Sequence, residues 1–263
     1  MELVEKPGEF ASRFSRWNAN DRLAGYPFIT NTHSVLSPLR RALPMINLAL
    51  VSSAGAYING TSPFDIESRD GDMTFREIPR EVGPEELRYA AKGYDPTAVE
   101  SDRNVQIPVE RLTEYEANAV IGRLNECWWS TSSYTPNAVR VAEELAPSLA
   151  ERLHRYEVQA ALLIPASRLC HQSMGIIARG IEDSGIPTIM ISVDKLISEN
   201  VRAPRTAYYL GEFGSVAGAP NWPEHQLRVL DESLRWLETF DQPGIRKLGV
   251  AMESMVEAAR GER

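Results

Sequence analysis

The stretch "QAALLIPASRLCHQSMGIIARGIEDSGIPTIMIS", Gln159 to Ser192, decides the fold. Its opening, "QAALLIP", is a short continuous apolar run bounded by proline, the pattern of a strand covered on both faces. "CHQSMGIIARGIEDSG" then reads as a helix closed by Gly185, and "IPTIMIS" as a further buried strand. Strand, helix and strand in this order imply a right-handed parallel crossover. Upstream, "MINLALVSSAGAYI" (Met45 to Ile58) is another short apolar run that ends in Ser-Ser-Ala-Gly. A buried parallel strand there delivers a loop at its carboxyl end, where open α/β sheets bind ligands.

Between these strands the chain has helical signals. "VERLTEYEANAVIGRL" carries apolar residues near helical spacing with a stop at Gly122, and "PNAVRVAEELAPSLAERLHRYEV" is amphipathic with Pro147 placed to kink or split it. "PNWPEHQLRVLDESLRWLETF" reads as a C-terminal packing helix. The expectation is an α/β fold with a Rossmann-like, mostly parallel sheet flanked by helices, built as one unit or as two similar halves with a cleft between them. A single domain over residues 1–263 is expected, with residues 1–40 as an N-terminal arm. From Asn59 to Arg111 regular patterning is sparse, and so long a stretch is more often functional or interface-forming than idle.

Composition narrows the function classes. The net charge is -8, and no segment clusters Lys and Arg with aromatics, which argues against nucleic acid as a partner. No apolar run approaches the roughly 20 residues that span a bilayer, and the N-terminus lacks an apolar leader, so a cytoplasmic protein without membrane contact is expected. The four histidines, His33, His154, His171 and His225, lack metal-ligand spacing, and no glycine-rich nucleotide fingerprint follows a strand. Neither a metal nor a nucleotide is therefore expected. Trp128, Trp129 and Trp222 read as interface aromatics, and Trp236 as core.

The two cysteines, Cys127 and Cys170, are too few for a disulfide scaffold. Cys170 falls at the first turn of the helix after "ALLIP", where unpaired N–H groups favour an anion and therefore a thiolate. A buried packing cysteine is the bland alternative. His171 follows directly, but neighbours on a helix point about 100° apart. Cys127, beside two tryptophans, reads as core.

The segment "LIPASRLCHQSMGIIARGIEDSGIPTI" resembles the active-site region of the glycine, sarcosine, betaine and D-proline reductase family, in its selenoprotein B subunit and selenium-free relatives. "SSAGAYI", "PFD", "GDMTFREIP", "YDPTAVESDRN", "PVERL" and "IGRL" follow the order that family shows, and the resemblance spans roughly residues 45–240. It implies a selenocysteine position at Ser167, a first cysteine at Cys170 and a second at Ser173, so one chalcogen is retained. It places Ala91 where many relatives have histidine. It implies reductive cleavage of a carbon–heteroatom bond in a small amino-acid-like or carboxylate substrate, with an external thiol as reductant. It also implies a partner subunit, or a homo-oligomer. The pyruvoyl group that activates the amine would come from such a partner, because no segment here is suited to generate it.

On this reading Cys170, His171 and Ser167 are the catalytic candidates, and Ser173 helps shape the thiol pocket. Ser52, Ser53 and Gly55 would present hydroxyls and N–H groups to an anionic ligand, or simply form a tight turn. Arg76 or Arg111 would hold a substrate carboxylate, grouped with Asp70, Asp72, Glu77, Asp95, Asp102 and Asn104; the same residues read equally as an ion-pair network pinning the long loop. Two alternatives stay open. One is a non-catalytic binding or partner subunit that kept the fold without the redox couple. The other is a two-cysteine racemase or lyase, in which Cys127 faces Cys170 across a cleft.

Overall fold

The structure is a computed structural model describing residues 2–19 and 23–250. Residues 1 and 20–22 of the expected arm, and 251–263 of the expected single domain, lie outside the described residues.

The strands, in chain order, are β1 (Asn47–Ser52), β2 (Ala56–Ile58), β3 (Phe75–Pro79), β4 (Leu87–Tyr89), β5 (Arg123–Leu124), β6 (Cys127–Thr131), β7 (Ala160–Ile164), β8 (Thr188–Ser192), β9 (Arg205–Tyr208) and β10 (Gly244–Lys247). The helices are α1 (Pro7–Arg16), α2 (Thr97–Ser101), α3 (Val109–Ala117), α4 (Ala138–Arg140), α5 (Ala146–Arg155), α6 (Arg168–Asp183), α7 (Lys195–Val201) and α8 (Pro223–Thr239). The main sheet runs β10-β9-β8-β7-β1-β6-β3, with β5 beside β1. All its pairs are parallel except β3 with β6. β2 and β4 form a separate antiparallel ribbon.

This is the α/β fold expected, with the sheet mostly parallel and flanked by helices. The period of two along the central strands divides the core. Leu48 and Leu50 of β1, with Leu162 and Ile164 of β7, join residues of α3 and α8 on one face. Ala49, Val51 and Leu163 join α5, α6 and the arm aromatics Phe10, Phe14, Trp17 and Tyr26 on the other. Arg179 of α6 fixes the arm from within, donating to the carbonyls of Glu2, Leu3, His33 and Arg202.

Three local readings are refined. α3 ends at Ala117, before the expected Gly122, because Ala119 takes a positive φ of 55° and turns the chain into β5. Pro147, which lacks an N–H, is met by a π-helical turn, Val141–Leu145, joining α4 to α5. Trp128 and Trp129 are buried in β6, one on each side of the sheet, and so are core side chains. Gly185 closes α6 as expected. At φ 98° it allows the Gly185 and Ile186 N–H groups to reach the carbonyls of Glu182 and Ile181.

Candidate functional site

From β1 the chain moves outward to β6, and from β7 it moves the opposite way to β8, so the topology switches between the adjacent strands β1 and β7. The crevice at their carboxyl ends is where this architecture accepts ligands. Three turns meet there, following β1, β6 and β7. Ser53 joins two of them: its N–H donates to Ile164 O at 3.1 Å, and its Oγ accepts from the Ala166 N–H at 3.0 Å.

Cys170 lies at this junction, in the third position of α6. Ser167 caps the helix, its Oγ accepting the Cys170 N–H at 3.2 Å and lying 3.1 Å from Cys170 Sγ, to which it donates. The sulfur in turn faces the carbonyl oxygens of Ser133 at 3.3 Å and Ser53 at 3.7 Å. Polar atoms from all three turns therefore surround the thiol. The residue is nevertheless only 1% exposed, the burial that the packing-cysteine alternative expects. Facing two carbonyls, the sulfur acts here as an S–H donor.

His171 makes no hydrogen bond with Cys170. Its Nδ1–H donates to Ser167 O at 2.7 Å, and its Nε2 accepts from the Val193 N–H at 3.1 Å. This arrangement needs a neutral ring, and burial pushes the pKa down to about 4. With both nitrogens occupied, His171 ties the first turn of α6 to the end of β8. Ser173 lies one turn further along, accepting from Thr135 Oγ1 at 2.6 Å and donating to Leu169 O at 3.1 Å.

Ser52 is buried, with its Oγ on the Ala54 N–H at 3.3 Å. Gly55 has a φ of 69°, and a Cβ there would stand 2.4 Å from Ala90 O. Ser52, Ser53 and Gly55 thus build the turn, Ser52 directing its hydroxyl into it and Ser53 across to the turn after β7. The polar set expected to gather round the substrate is dispersed. Arg76 lies on the edge strand β3, bonded to Thr74 at 2.6 Å and stacked over Phe64 at 4.2 Å. Arg111 holds Gln226 at 3.1 Å and pairs with Glu114. Asp102 accepts from Gln226, Asn221 and Asn104, pinning the loop before α8. The ion-pair and hydrogen-bond reading of this set therefore fits better than a carboxylate clamp.

Cys127 begins β6, whereas Ser133, which touches Cys170, follows that strand's end. A rise of about 3.3 Å per residue puts the two cysteines more than roughly 13 Å apart along the sheet, so the two-thiol racemase arrangement is not formed. Among the described residues no group of three or more His, Cys, Asp or Glu could hold a metal ion, and no helix is long and apolar enough to cross a membrane.

Sequence reading missed Ser133, and within Ala90–Tyr94 it marked Ala91 alone, through the family resemblance. The one available signal was "TSSY" directly after an apolar run, the same hydroxyl-rich ending seen after β1. The residues of "AAKGYD" do not show locally that the segment ties to the turns around the thiol, because its contacts are made by backbone and by residues distant in sequence.

A buried thiol held by turn atoms at the switch point of a mostly parallel sheet defines the class: an α/β chain with its polar turns gathered at the carboxyl ends of its strands. The chain belongs to the glycine/sarcosine/betaine reductase selenoprotein B family, whose profile matches residues 32–166. It is 30% identical to the D-proline reductase subunit gamma of Acetoanaerobium sticklandii, over 80% of this chain and 86% of that one. It is also 30% identical to the glycine reductase complex component B subunit gamma of Symbiobacterium thermophilum, over 68% of this chain. A betaine reductase complex component B subunit beta of Peptoclostridium acidaminophilum is 26% identical over 46% of this chain. The chain spans most of the D-proline reductase subunit but only 42% of the first component B relative and 29% of the second. No solved structure matches it significantly.

Proposed function

We propose that this chain is a cytoplasmic subunit of a multi-component reductase that cleaves a carbon–heteroatom bond in a small amino-acid-like substrate, with Cys170 as the reacting thiol. The observation that supports this most is the 3.1 Å approach of Ser167 Oγ to Cys170 Sγ at the switch point. A hydroxyl donating to sulfur there would stabilise the thiolate as it forms.

In the proposed reaction the Cys170 thiolate attacks a carbon next to a carbonyl group. The S–C bond forms as the C–N bond breaks, and the nitrogen leaves with a proton as an amine. An external thiol then attacks the Cys170 sulfur. The carbon departs with the bonding pair and takes up a proton, leaving a mixed disulfide. A second external thiol reduces that disulfide and restores Cys170. In sum, two thiols become one disulfide while C–N becomes C–H. Cys127 sits at the other end of the sheet, so the resolving thiols come from outside the chain. Activation of the amine, through a pyruvoyl group or otherwise, falls to a partner subunit.

The burial of Cys170 favours a second reading, a non-catalytic subunit that kept the crevice. Reconstitution with the partner subunits tests the first. With D-proline or glycine as substrate and dithiothreitol as reductant, the reading predicts one amino acid consumed per dithiol oxidised, dependent on this chain. Unchanged turnover when the chain is left out would sink it.

A further inference from the structure

Residues 90–94, between β4 and α2, run alongside the turns that hold the thiol. The Ala90 N–H donates to Gly55 O at 2.9 Å. Ser133 Oγ donates to Ala90 O at 2.6 Å and accepts from the Lys92 N–H at 2.9 Å. Tyr94 Oη donates to Ala54 O at 2.6 Å. Between these ties sits the exposed Gly93, at φ 86°, where an added Cβ would come within 3.3 Å of Ser167 Cβ and 3.4 Å of its Oγ. The anchoring groups are thus the turns after β1 and β6 that also supply the carbonyls facing Cys170.

The segment has the makeup of a movable strap. Ala91 and Lys92 are half-buried, and the apolar anchoring of the segment is confined to the small buried Ala90 side chain and the Tyr94 ring, which lies against Gly214. The Lys92 ammonium holds Ile66 O at 2.6 Å and lies 4.0 Å over the Tyr134 ring, at the surface. Regions held by a few hydrogen bonds with little apolar burial open locally at far less cost than the core. A side chain at position 93 would close the gap over Ser167, and glycine leaves it clear.

We propose that Ala90–Tyr94 is an access strap for the thiol site, latched by Ser133 and Tyr94, and that a ligand reaches Cys170 through the gap that opens between Gly93 and Ser167. This rests on the reading that a ligand meets Cys170. The Tyr94 hydroxyl makes one hydrogen bond, so its removal raises the open population about fivefold, whereas Ser133 Oγ makes two, so its removal raises it about 25-fold. Ser133→Ala keeps the carbonyl that faces the sulfur, and Tyr94→Phe keeps the ring against Gly214.

Alkylation by iodoacetamide, followed site by site by peptide mass spectrometry, measures the opening, with Cys127 as the internal standard. Cys170 in the unaltered chain reacts more slowly than Cys127. Tyr94→Phe accelerates Cys170 about fivefold and Ser133→Ala about 25-fold, both leave Cys127 unchanged, and amide exchange at Ala90 rises by the same factors. An unchanged Cys170 rate in both variants, or an equal acceleration of Cys127, overturns the strap. Neither result depends on turnover. A failure of the thiol chemistry would appear instead as full activity in Cys170→Ala, with the alkylation pattern intact.

Discussion

Ser167 and Cys170 stand three residues apart on one helical turn, and the Ser167 hydroxyl both receives the Cys170 N–H and donates to the Cys170 sulfur, at 3.2 and 3.1 Å. One side chain thus caps α6 and polarises the thiol. Ser167→Ala removes the cap and is expected to lower stability by about 1 kcal/mol, read from denaturant midpoints. Ser167→Cys brings two sulfurs together at these positions. Under a mild oxidant it should lose two of its three titratable thiols and regain them with dithiothreitol, while Cys127 stays free throughout. Three thiols persisting after oxidation would show that the side chains at 167 and 170 do not meet.

His171 predicts a pH dependence of stability. Its hydrogen bonds require the neutral ring, and burial lowers its pKa from 6.5 to about 4. The unfolded chain therefore takes up this proton before the folded one does. The stabilisation is complete above about pH 6.5 and is lost as the pH falls toward 4. His171→Asn should flatten that part of the stability profile, measured by urea denaturation across the range. A slope identical to that of the unaltered chain would mean that other groups carry it.

These two residues show how far the sequence could be read. The strand, helix and strand around Cys170 were legible because each is a local pattern, an apolar run or a glycine stop. The partner of the thiol, Ser167, was singled out through the family resemblance, and its capping of α6 came only with the structure. The role of His171 was not, because it depends on Val193, reached only after the whole helix has turned back into β8. Arg76 and Arg111 look like carboxylate binders from their neighbours in sequence, yet β3 at the sheet edge and α3 beside α8 give them separate partners, Thr74 and Phe64 for one and Gln226 and Glu114 for the other. Residues 127–131 gave no clear strand signal, since two tryptophans on opposite faces obscure the alternation.

Glu182 and Arg205 form a pair that is 0% and 1% exposed, and the Glu182 carboxylate also accepts from the N–H groups of Ser37 and Thr188. Removing the cation strands a buried carboxylate, so Arg205→Met should cost about 3–5 kcal/mol at neutral pH. Burial already raises the Glu182 pKa, and loss of Arg205 raises it further. The penalty should therefore shrink as the pH falls and the carboxyl becomes neutral. Equal losses at pH 5 and pH 8 would contradict a charged carboxylate at this position.

Gly55 and Gly185 offer a paired test of backbone constraint. Both have positive φ, but a Cβ at Gly55 strikes Ala90 O at 2.4 Å whereas one at Gly185 meets nothing within 4 Å. Gly185→Ala should cost about 1 kcal/mol, the backbone strain alone. Gly55→Ala should cost about 2 kcal/mol or more, and it should loosen the Ala90 amide in hydrogen exchange. Equal penalties would mean that the turn after β1 has room to yield.

The central claim is that Cys170 is the group in this chain that reacts with substrate. Its most direct test is the rate of D-proline or glycine reduction by the reconstituted complex carrying Cys170→Ala, set beside the same complex carrying Cys127→Ala. The account predicts that the first loses at least about 99% of the activity, a barrier increase of about 2.7 kcal/mol, while the second keeps it. Full activity in the Cys170→Ala complex, with its fold intact by circular dichroism, would contradict the account and leave the chain as a binding subunit.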